Sequence, residues 1–341
     1  MKIKKLFLSA VVLFFFTGCC AYIDSINRLT EFDRLFAVEW NESVGTRVPD
    51  LKYGDGEYYN NFDLYLPSDC ASEKSRHLIL FVHGGGWTSG SKIDGDIYCK
   101  YFTSKGYVTS SIDYTLMDGE HNPSISSING ELLDAVSAVK SAAHERGYDL
   151  VDMALFGFSA GACQVLLYAF KENARSALPV KFIMDWSGPT SLNPDDWTTE
   201  AGVWSPLCLM TGLDGTYGGE ASLICKFSGQ PCTANMVADG SARTIWESIS
   251  PITYVTSSIP PVLLCYGSYD QLVPVRHQKL LIDRMKSSGL IKLRLEDGVH
   301  AEEERFYVIE FPNSGHSLCS DLDKGIEFQR AADIFCDMYF Q

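Results

Sequence analysis

The 341-residue sequence predicts an α/β fold: a mostly parallel, doubly wound sheet flanked by helices, carrying a cap insertion. Three observations predict it. Short apolar runs alternate with segments of helical periodicity, the rhythm of parallel strands joined by crossover helices. A glycine-flanked serine, Gly157-Phe158-Ser159-Ala160-Gly161, stands between an apolar run (Val151 to Phe156) and a helix-like stretch (Ala162 to Phe170). That strand–turn–helix setting is what a nucleophile elbow needs, although the pentapeptide alone is a weak signal. Between Pro189 and about Pro251 the alternation breaks down into a segment rich in Gly, Thr and Trp.

Taken in order, the chain opens with Lys2, Lys4 and Lys5, then the apolar run Leu6 to Phe16, then Thr17, Gly18 and Cys19. A basic start before so short an apolar run predicts an export signal rather than a membrane span. Phe16-Thr17-Gly18-Cys19 resembles the bacterial lipobox, with phenylalanine where leucine is usual. The resemblance implies cleavage before Cys19 and a lipid anchor on its thiol, holding an exported protein at a bacterial membrane. An ordinary signal peptide followed by two incidental cysteines is the alternative. The expected division is a lipoprotein signal peptide over 1–18, an anchor and N-terminal segment over 19–60, and the main domain over 61–341.

Residues 22–60 are mixed and polar, which predicts a short helix and a connecting segment. Asn61 to Leu66 alternates and ends at Pro67, as a half-buried edge strand does. His77 to Val82 is continuously apolar, as in a strand buried on both faces, and Val108 to Tyr114 repeats the pattern. Glu131 to His144 has helical periodicity; strands follow over 151–156, 180–186, 261–266 and 305–311, with a helix near 275–288. The interruption over 189–250, with Trp197, Trp204 and Trp246, reads as a cap at the carboxyl edge, where ligands bind in open α/β sheets. A decorated surface subdomain is the other reading.

The formal charge is -15; without residues 1–18 it becomes -18, with 25 basic and 43 acidic side chains. Such a surface repels nucleic acid and suits a neutral or weakly charged substrate. Of the eleven cysteines, Cys163 and Cys265 read as small buried hydrophobes, and Cys225 and Cys232 as the pair best placed to bond. No Cys/His cluster has zinc spacing, so no metal site is expected.

The run 77–82 leads into His83-Gly84-Gly85-Gly86-Trp87, with His83 standing 76 residues before Ser159. Successive glycines let a backbone approach a substrate and turn N–H groups towards it. The amides of Gly84, Gly85 and Ala160 are therefore the candidate oxyanion hole. A serine hydroxyl needs a base and a group that orients it. His316 follows the run 305–311 in the loop Pro312-Asn313-Ser314-Gly315-His316, and Asp270 follows the run 261–266 in Gly267-Ser268-Tyr269-Asp270. The other histidines sit in segments that read as structural or solvated. Nucleophile Ser159, acid Asp270 and base His316 form the candidate catalytic set.

On the HGGGW loop, the GFSAG elbow, Asp113-Tyr114-Thr115-Leu116 and the Gly267…Asp270…Val273-Pro274 stretch, the chain resembles the α/β-hydrolase esterases. The nearest branches are the bacterial feruloyl/acetyl-esterase-like and the hormone-sensitive-lipase-like carboxylesterases. The order Ser159, Asp270, His316 is that of this fold. The likeness runs in patches over about 60–320 and implies the α/β-hydrolase fold, no cofactor and hydrolysis of carboxylic esters with short or aromatic acyl groups. Two positions depart from the pattern: Ala162 replaces a second glycine after the elbow, and Phe158 replaces the aspartate usual in the lipase-like branch. The expected partners are a small-molecule or carbohydrate-linked ester and, through Cys19, a membrane. A serine peptidase of the same fold is the rival enzyme, although its usual β-propeller has no room here. A silent binding lipoprotein is the rival from another class; loss of Ser, His or Asp would mark it.

Overall fold

Runs such as His77 to Val82 are apolar throughout because both faces of their strands are covered. The computed structural model describes residues 30–69, 76–199, 202, 205, 206, 220–294 and 304–341. The signal peptide, Cys19, Trp204, His300 and part of the 189–250 insertion lie outside the described residues. The elements in chain order are α1 (Glu31–Arg34), β1 (Gly45–Lys52), β2 (Asn61–Pro67), β3 (Arg76–Val82), α2 (Asp96–Ser104), β4 (Val108–Asp113), α3 (Ile125–His144), β5 (Leu150–Phe158), α4 (Ala160–Leu167) and β6 (Val180–Trp186). There follow α5 (Glu220–Ser228), α6 (Ala234–Ala238), α7 (Arg243–Ser248), β7 (Val262–Gly267), α8 (Arg276–Ser287), β8 (Ile291–Lys292), β9 (Glu304–Phe311) and α9 (Leu322–Tyr339).

The strands form one sheet in the order β1-β2-β4-β3-β5-β6-β7-β9-β8. The pairs β1/β2 and β2/β4 are antiparallel and all others are parallel. Alternate residues of each strand serve opposite layers. Leu78, Leu80, Leu155 and Leu264 face a core shared with Leu132 and Val136 of α3 and Val165 of α4. Ile79, Phe81, Phe156 and Cys265 face the other core, with Phe32 of α1, Tyr98 and Phe102 of α2 and Phe328 of α9.

Two expectations need correction. The segment 61–66 is not a half-buried edge strand: β2 lies inside the sheet and is buried throughout, because β1 pairs along its outer side. β1 escaped notice because its sequence is polar and mostly exposed, without the period-2 apolar pattern that marks a strand. Asp63 of β2 is tolerated in the interior because Arg47 Nε donates to it at 2.9 Å and Lys92 Nζ lies 3.2 Å away. Secondly, Cys225 and Cys232 are not bonded to each other. Cys225 keeps a free thiol, and its Sγ accepts the Cys232 amide at 3.0 Å. α3 also starts earlier than its apolar periodicity, at Ile125, where the Ser124 side chain caps it by accepting the Ser127 amide at 3.0 Å.

Within the insertion, Phe227 of α5 lies edge-on to Trp87 with centroids 6.2 Å apart, and Trp246 of α7 is 6.4 Å beyond it. Trp197 stands edge-on to His277 at 4.7 Å and donates its indole N–H to the Ser191 carbonyl at 3.0 Å. Trp87 and Trp197, both fully buried, thus join the insertion to the body of the fold. Burial drops the His277 pKa to about 3, which leaves Nδ1 a neutral acceptor for the Thr190 amide at 3.2 Å. Among the described residues no helix is long and apolar enough to cross a membrane.

Candidate active site

β5 ends at Phe158 and α4 begins at Ala160, so Ser159 alone makes the turn between them. Its φ of 54° and ψ of -120° lie where a side-chain-bearing residue is strained. Two hydrogen bonds hold it there: Ser159 N–H donates to the Trp186 carbonyl at 2.8 Å, and the Ser159 carbonyl accepts the Cys163 amide at 3.1 Å. The flanking glycines are required sterically. A Cβ on Gly157 would sit 2.5 Å from Ala162 Cα, and one on Gly161 would sit 2.1 Å from the Val82 carbonyl oxygen. Both obstacles are backbone, which cannot rotate away. Gly161→Ala is accordingly expected to destabilise the fold by about 3 kcal/mol or more; a chemical-denaturation midpoint equal to that of the parent chain would contradict this close packing.

The glycine loop leaves β3 beside the elbow. A Cβ on Gly84 would lie 3.1 Å from Ser159 Cβ, so that position faces Ser159 directly. Gly85 has φ +102° and its missing Cβ would strike the Ser89 carbonyl at 2.1 Å. The loop is braced from below by His83, which stacks on Tyr114 with centroids 4.3 Å apart. His83 Nδ1 lies 2.7 Å from the Gly84 carbonyl oxygen; that oxygen can only accept, so Nδ1 carries the proton. Burial pushes the His83 pKa down to about 4, so the ring is a neutral brace. Neither the Gly84 nor the Gly85 amide finds an acceptor among the described residues. The Ala160 amide opens α4 and so has no carbonyl of its own helix behind it.

Asp270 and His316 come together across two loops. His316 Nδ1 is 2.8 Å from Asp270 Oδ2, while Asp270 Oδ1 accepts the Leu272 and Val273 amides, each at 2.9 Å. The loops themselves are zipped: Ser268 N–H donates to the Phe311 carbonyl and Tyr269 N–H to the Ser314 carbonyl, both at 3.0 Å. A Cβ on Gly267 would lie 2.3 Å from the Gly315 carbonyl oxygen, so the Asp270 loop must begin with glycine to let the His316 loop approach. The His316 imidazole packs 5.1 Å from the ring of Phe158, the residue before the serine. No hydrogen bond joins Ser159 Oγ to His316 among the described contacts, an arrangement that unliganded sites commonly show.

The carboxyl ends of β3, β5, β7 and β9 thus bring Gly84, Gly85, Ser159, Ala160, Asp270 and His316 to one edge of the sheet. Two contributors were not anticipated. Asp321 accepts Asn313 Nδ2 at 2.7 Å and Ser314 Oγ at 2.7 Å, fixing the loop that carries His316. Asp185, fully buried at the end of β6, is the other; its visible signal was a lone acid inside the apolar run 180–186. Among the described residues, no group of three or more His, Cys, Asp or Glu is arranged to hold a metal ion.

The sequence profile of the family described as BD-FAE matches residues 62–285, about two thirds of the chain. The chain is 24% identical over 245 residues to a "Probable carboxylic ester hydrolase LipM" of Mycobacterium tuberculosis, covering 70% of this chain and 51% of that protein. It is 25% identical over 250 residues to "Isoprenylcysteine alpha-carbonyl methylesterase ICME" of Arabidopsis thaliana, covering 70% and 52%. The chain therefore spans about half the length of these curated relatives. Among solved structures, a truncated carbohydrate esterase from gut microbiota superposes with TM-score 0.64 at 17% identity, over 89% of this chain and 99% of that one. A thermophilic esterase, Est2, from Thermogutta terrifontis gives 0.61 at 19% identity, over 88% and 94%. At such identities the structural likeness speaks for the fold alone. By profile and by architecture together, the chain belongs to the BD-FAE family and has the α/β-hydrolase fold.

Proposed function

We propose that this protein is a serine esterase that hydrolyses carboxylic esters, with short or aromatic acyl groups, through an acyl-enzyme intermediate. The observation that carries the proposal is a strained serine at φ 54° facing two unpaired glycine amides, with a hydrogen-bonded Asp–His pair packed against the neighbouring Phe158. The names of the curated relatives and of the structural neighbours point the same way.

In the proposed reaction His316 Nε2 takes the Ser159 hydroxyl proton as Oγ attacks the ester carbonyl carbon. The carbonyl π pair moves to oxygen, where the Gly84, Gly85 and Ala160 amides stabilise it, each by on the order of 3 kcal/mol. Asp270 keeps Nδ1 protonated and offsets the imidazolium charge. The oxyanion then collapses, the alcohol leaves with the proton from His316, and water repeats the sequence to release the acid. The insertion over 189–250 is proposed to cap this edge and shape the acyl site. The 1–19 pattern supports export and anchoring through Cys19.

Two assays test the proposal. A fluorophosphonate probe is expected to label the intact chain once, at Ser159, and a panel of p-nitrophenyl, acetylated-sugar and feruloylated-sugar esters is expected to yield turnover on short or aromatic acyl members. A chain that neither labels nor turns over any of them would be a binding protein on a hydrolase scaffold. Turnover of peptides in preference to esters would favour the peptidase reading.

A further inference from the structure

Asp185 sits next to the last residue of β6 and pairs with Gly157 of β5 on one side and Leu264 of β7 on the other. It is fully buried, with no Lys, Arg or His paired to it among the described residues. The ionisable groups that face it are Cys163 of α4 and Cys265 and Tyr266 of β7. Burial pushes all three above their ordinary values and keeps them neutral, and neither a thiol nor a phenol can supply a compensating positive charge. A carboxylate left alone in such a site costs several kcal/mol.

The oxygen contacts around it can be counted for hydrogens. Asp185 Oδ1 accepts the Gly188 amide at 2.8 Å. Asp185 Oδ2 lies 2.9 Å from Tyr266 Oη, and the same Oη lies 2.6 Å from the Gly188 carbonyl oxygen. Two O···O contacts need two protons. The phenol has one and the carbonyl has none. With an ionised Asp185, one of the two contacts would be lone pair against lone pair.

We infer that Asp185 is protonated in the folded protein and donates Oδ2–H to Tyr266 Oη, which donates in turn to the Gly188 carbonyl. The closed ring ties the ends of β6 and β7 together beneath the elbow. Trp186, the next residue, supplies the carbonyl that seats the Ser159 amide. Gly188 has no Cβ because one would come within 2.7 Å of Ala162 Cβ on α4. Tyr266 lies four residues before Asp270. Asp185 is thus a positioning residue, acting on the nucleophile turn and the acid loop without touching substrate. Its pKa, pushed up to about 7 by burial, agrees with the proton count.

Because its role in turnover rests on the proposed esterase activity, the decisive measurements are made on the proton itself. In the unfolded chain an aspartate loses its proton near pH 4; in the folded protein Asp185 keeps it to about pH 7. Between these values the folded state binds more protons, so Asp185 makes the parent chain progressively less stable as pH rises. Asp185→Asn preserves the ring, with its amide N–H replacing the acid O–H, and removes the titration. The Tm of the Asn variant relative to the parent is expected to climb from pH 5 to pH 7 and to level off above it. A constant offset across that range would overturn the inference. Carboxyl carbon-13 NMR of the parent chain asks the same question without the variant: an acid-form shift for Asp185 at pH 6 supports the proton, and a carboxylate shift at pH 5 refutes it. With an ester substrate, kcat/KM of the parent should fall on the alkaline side more steeply than that of the Asn variant, while equal alkaline limbs would refute the positioning role. If ester turnover fails altogether and the Tm difference persists, the esterase proposal falls and the buried proton stands.

Discussion

Ser159→Ala is expected to lower kcat for p-nitrophenyl ester hydrolysis by about 10⁴-fold or more, and to abolish fluorophosphonate labelling. The effect should be confined to chemistry. The Ser159 side chain makes no hydrogen bond among the described residues, whereas its backbone carries both bonds that hold the turn. Alanine at the same φ of 54° meets the same strain, so the unfolding midpoint should stay within about 1 kcal/mol of the parent. Retention of more than a few per cent of parental turnover in purified variant would remove Ser159 from the mechanism. Loss of turnover together with loss of folding would say nothing about chemistry in particular; matched circular dichroism and denaturation curves therefore belong to the measurement.

Asp270→Asn should cost on the order of 10⁴ in kcat, by a different route. Oδ1 of Asp270 is held by the Leu272 and Val273 amides, both donors. The carboxamide must turn its carbonyl to them, which leaves its NH₂ facing His316 Nδ1 across the present 2.8 Å contact. Nδ1 must then accept, and the imidazole proton moves to Nε2, the atom that receives the serine proton in the proposed reaction. The geometry survives while the tautomer is wrong. Proton NMR of the imidazole is the check: the Nδ1–H resonance of the parent should disappear and an Nε2–H signal replace it. Near-parental turnover with an unchanged Nδ1–H signal would show that Asp270 does not set the tautomer.

Strand-length apolar runs made most of the sheet legible. β3, β5, β6 and β7 are covered on both faces, and a strand in that position can hardly be written with anything but apolar residues. The mistakes fell where that constraint relaxes. β1 is an outer strand with a polar, exposed sequence, and its absence from the expectation turned β2 into a false edge. α2 and α9 were not anticipated either; each covers the sheet with a mixture of aromatic and charged residues, such as Tyr98 and Phe102 beside Asp96 and Lys100. In the site, the elbow and glycine loop were readable because their geometry excludes a Cβ, so glycine is the residue that fits. Asp321 was not, since a loop-bracing acid leaves no pattern along the chain, and Asp185, visible only as a lone acid in an apolar run, gave no sign of the partners it meets.

Sequence order and turn chemistry determined which residues stand at strand ends: Gly84, Ser159, Asp270 and His316 each follow an apolar run, and a parallel sheet puts all such ends on one edge. Tertiary structure alone decided what those ends do to one another. Whether Asp270 meets His316 depends on two loops approaching within 2.3 Å of a missing Cβ at Gly267. Whether Asp185 keeps a proton depends on its having no cation paired to it among the described residues and on a phenol arriving from β7. The physical reason is common to both: hydrogen-bond direction and desolvation are set by neighbours in space, here 46 residues apart for the Asp270–His316 pair and 81 for Asp185 and Tyr266.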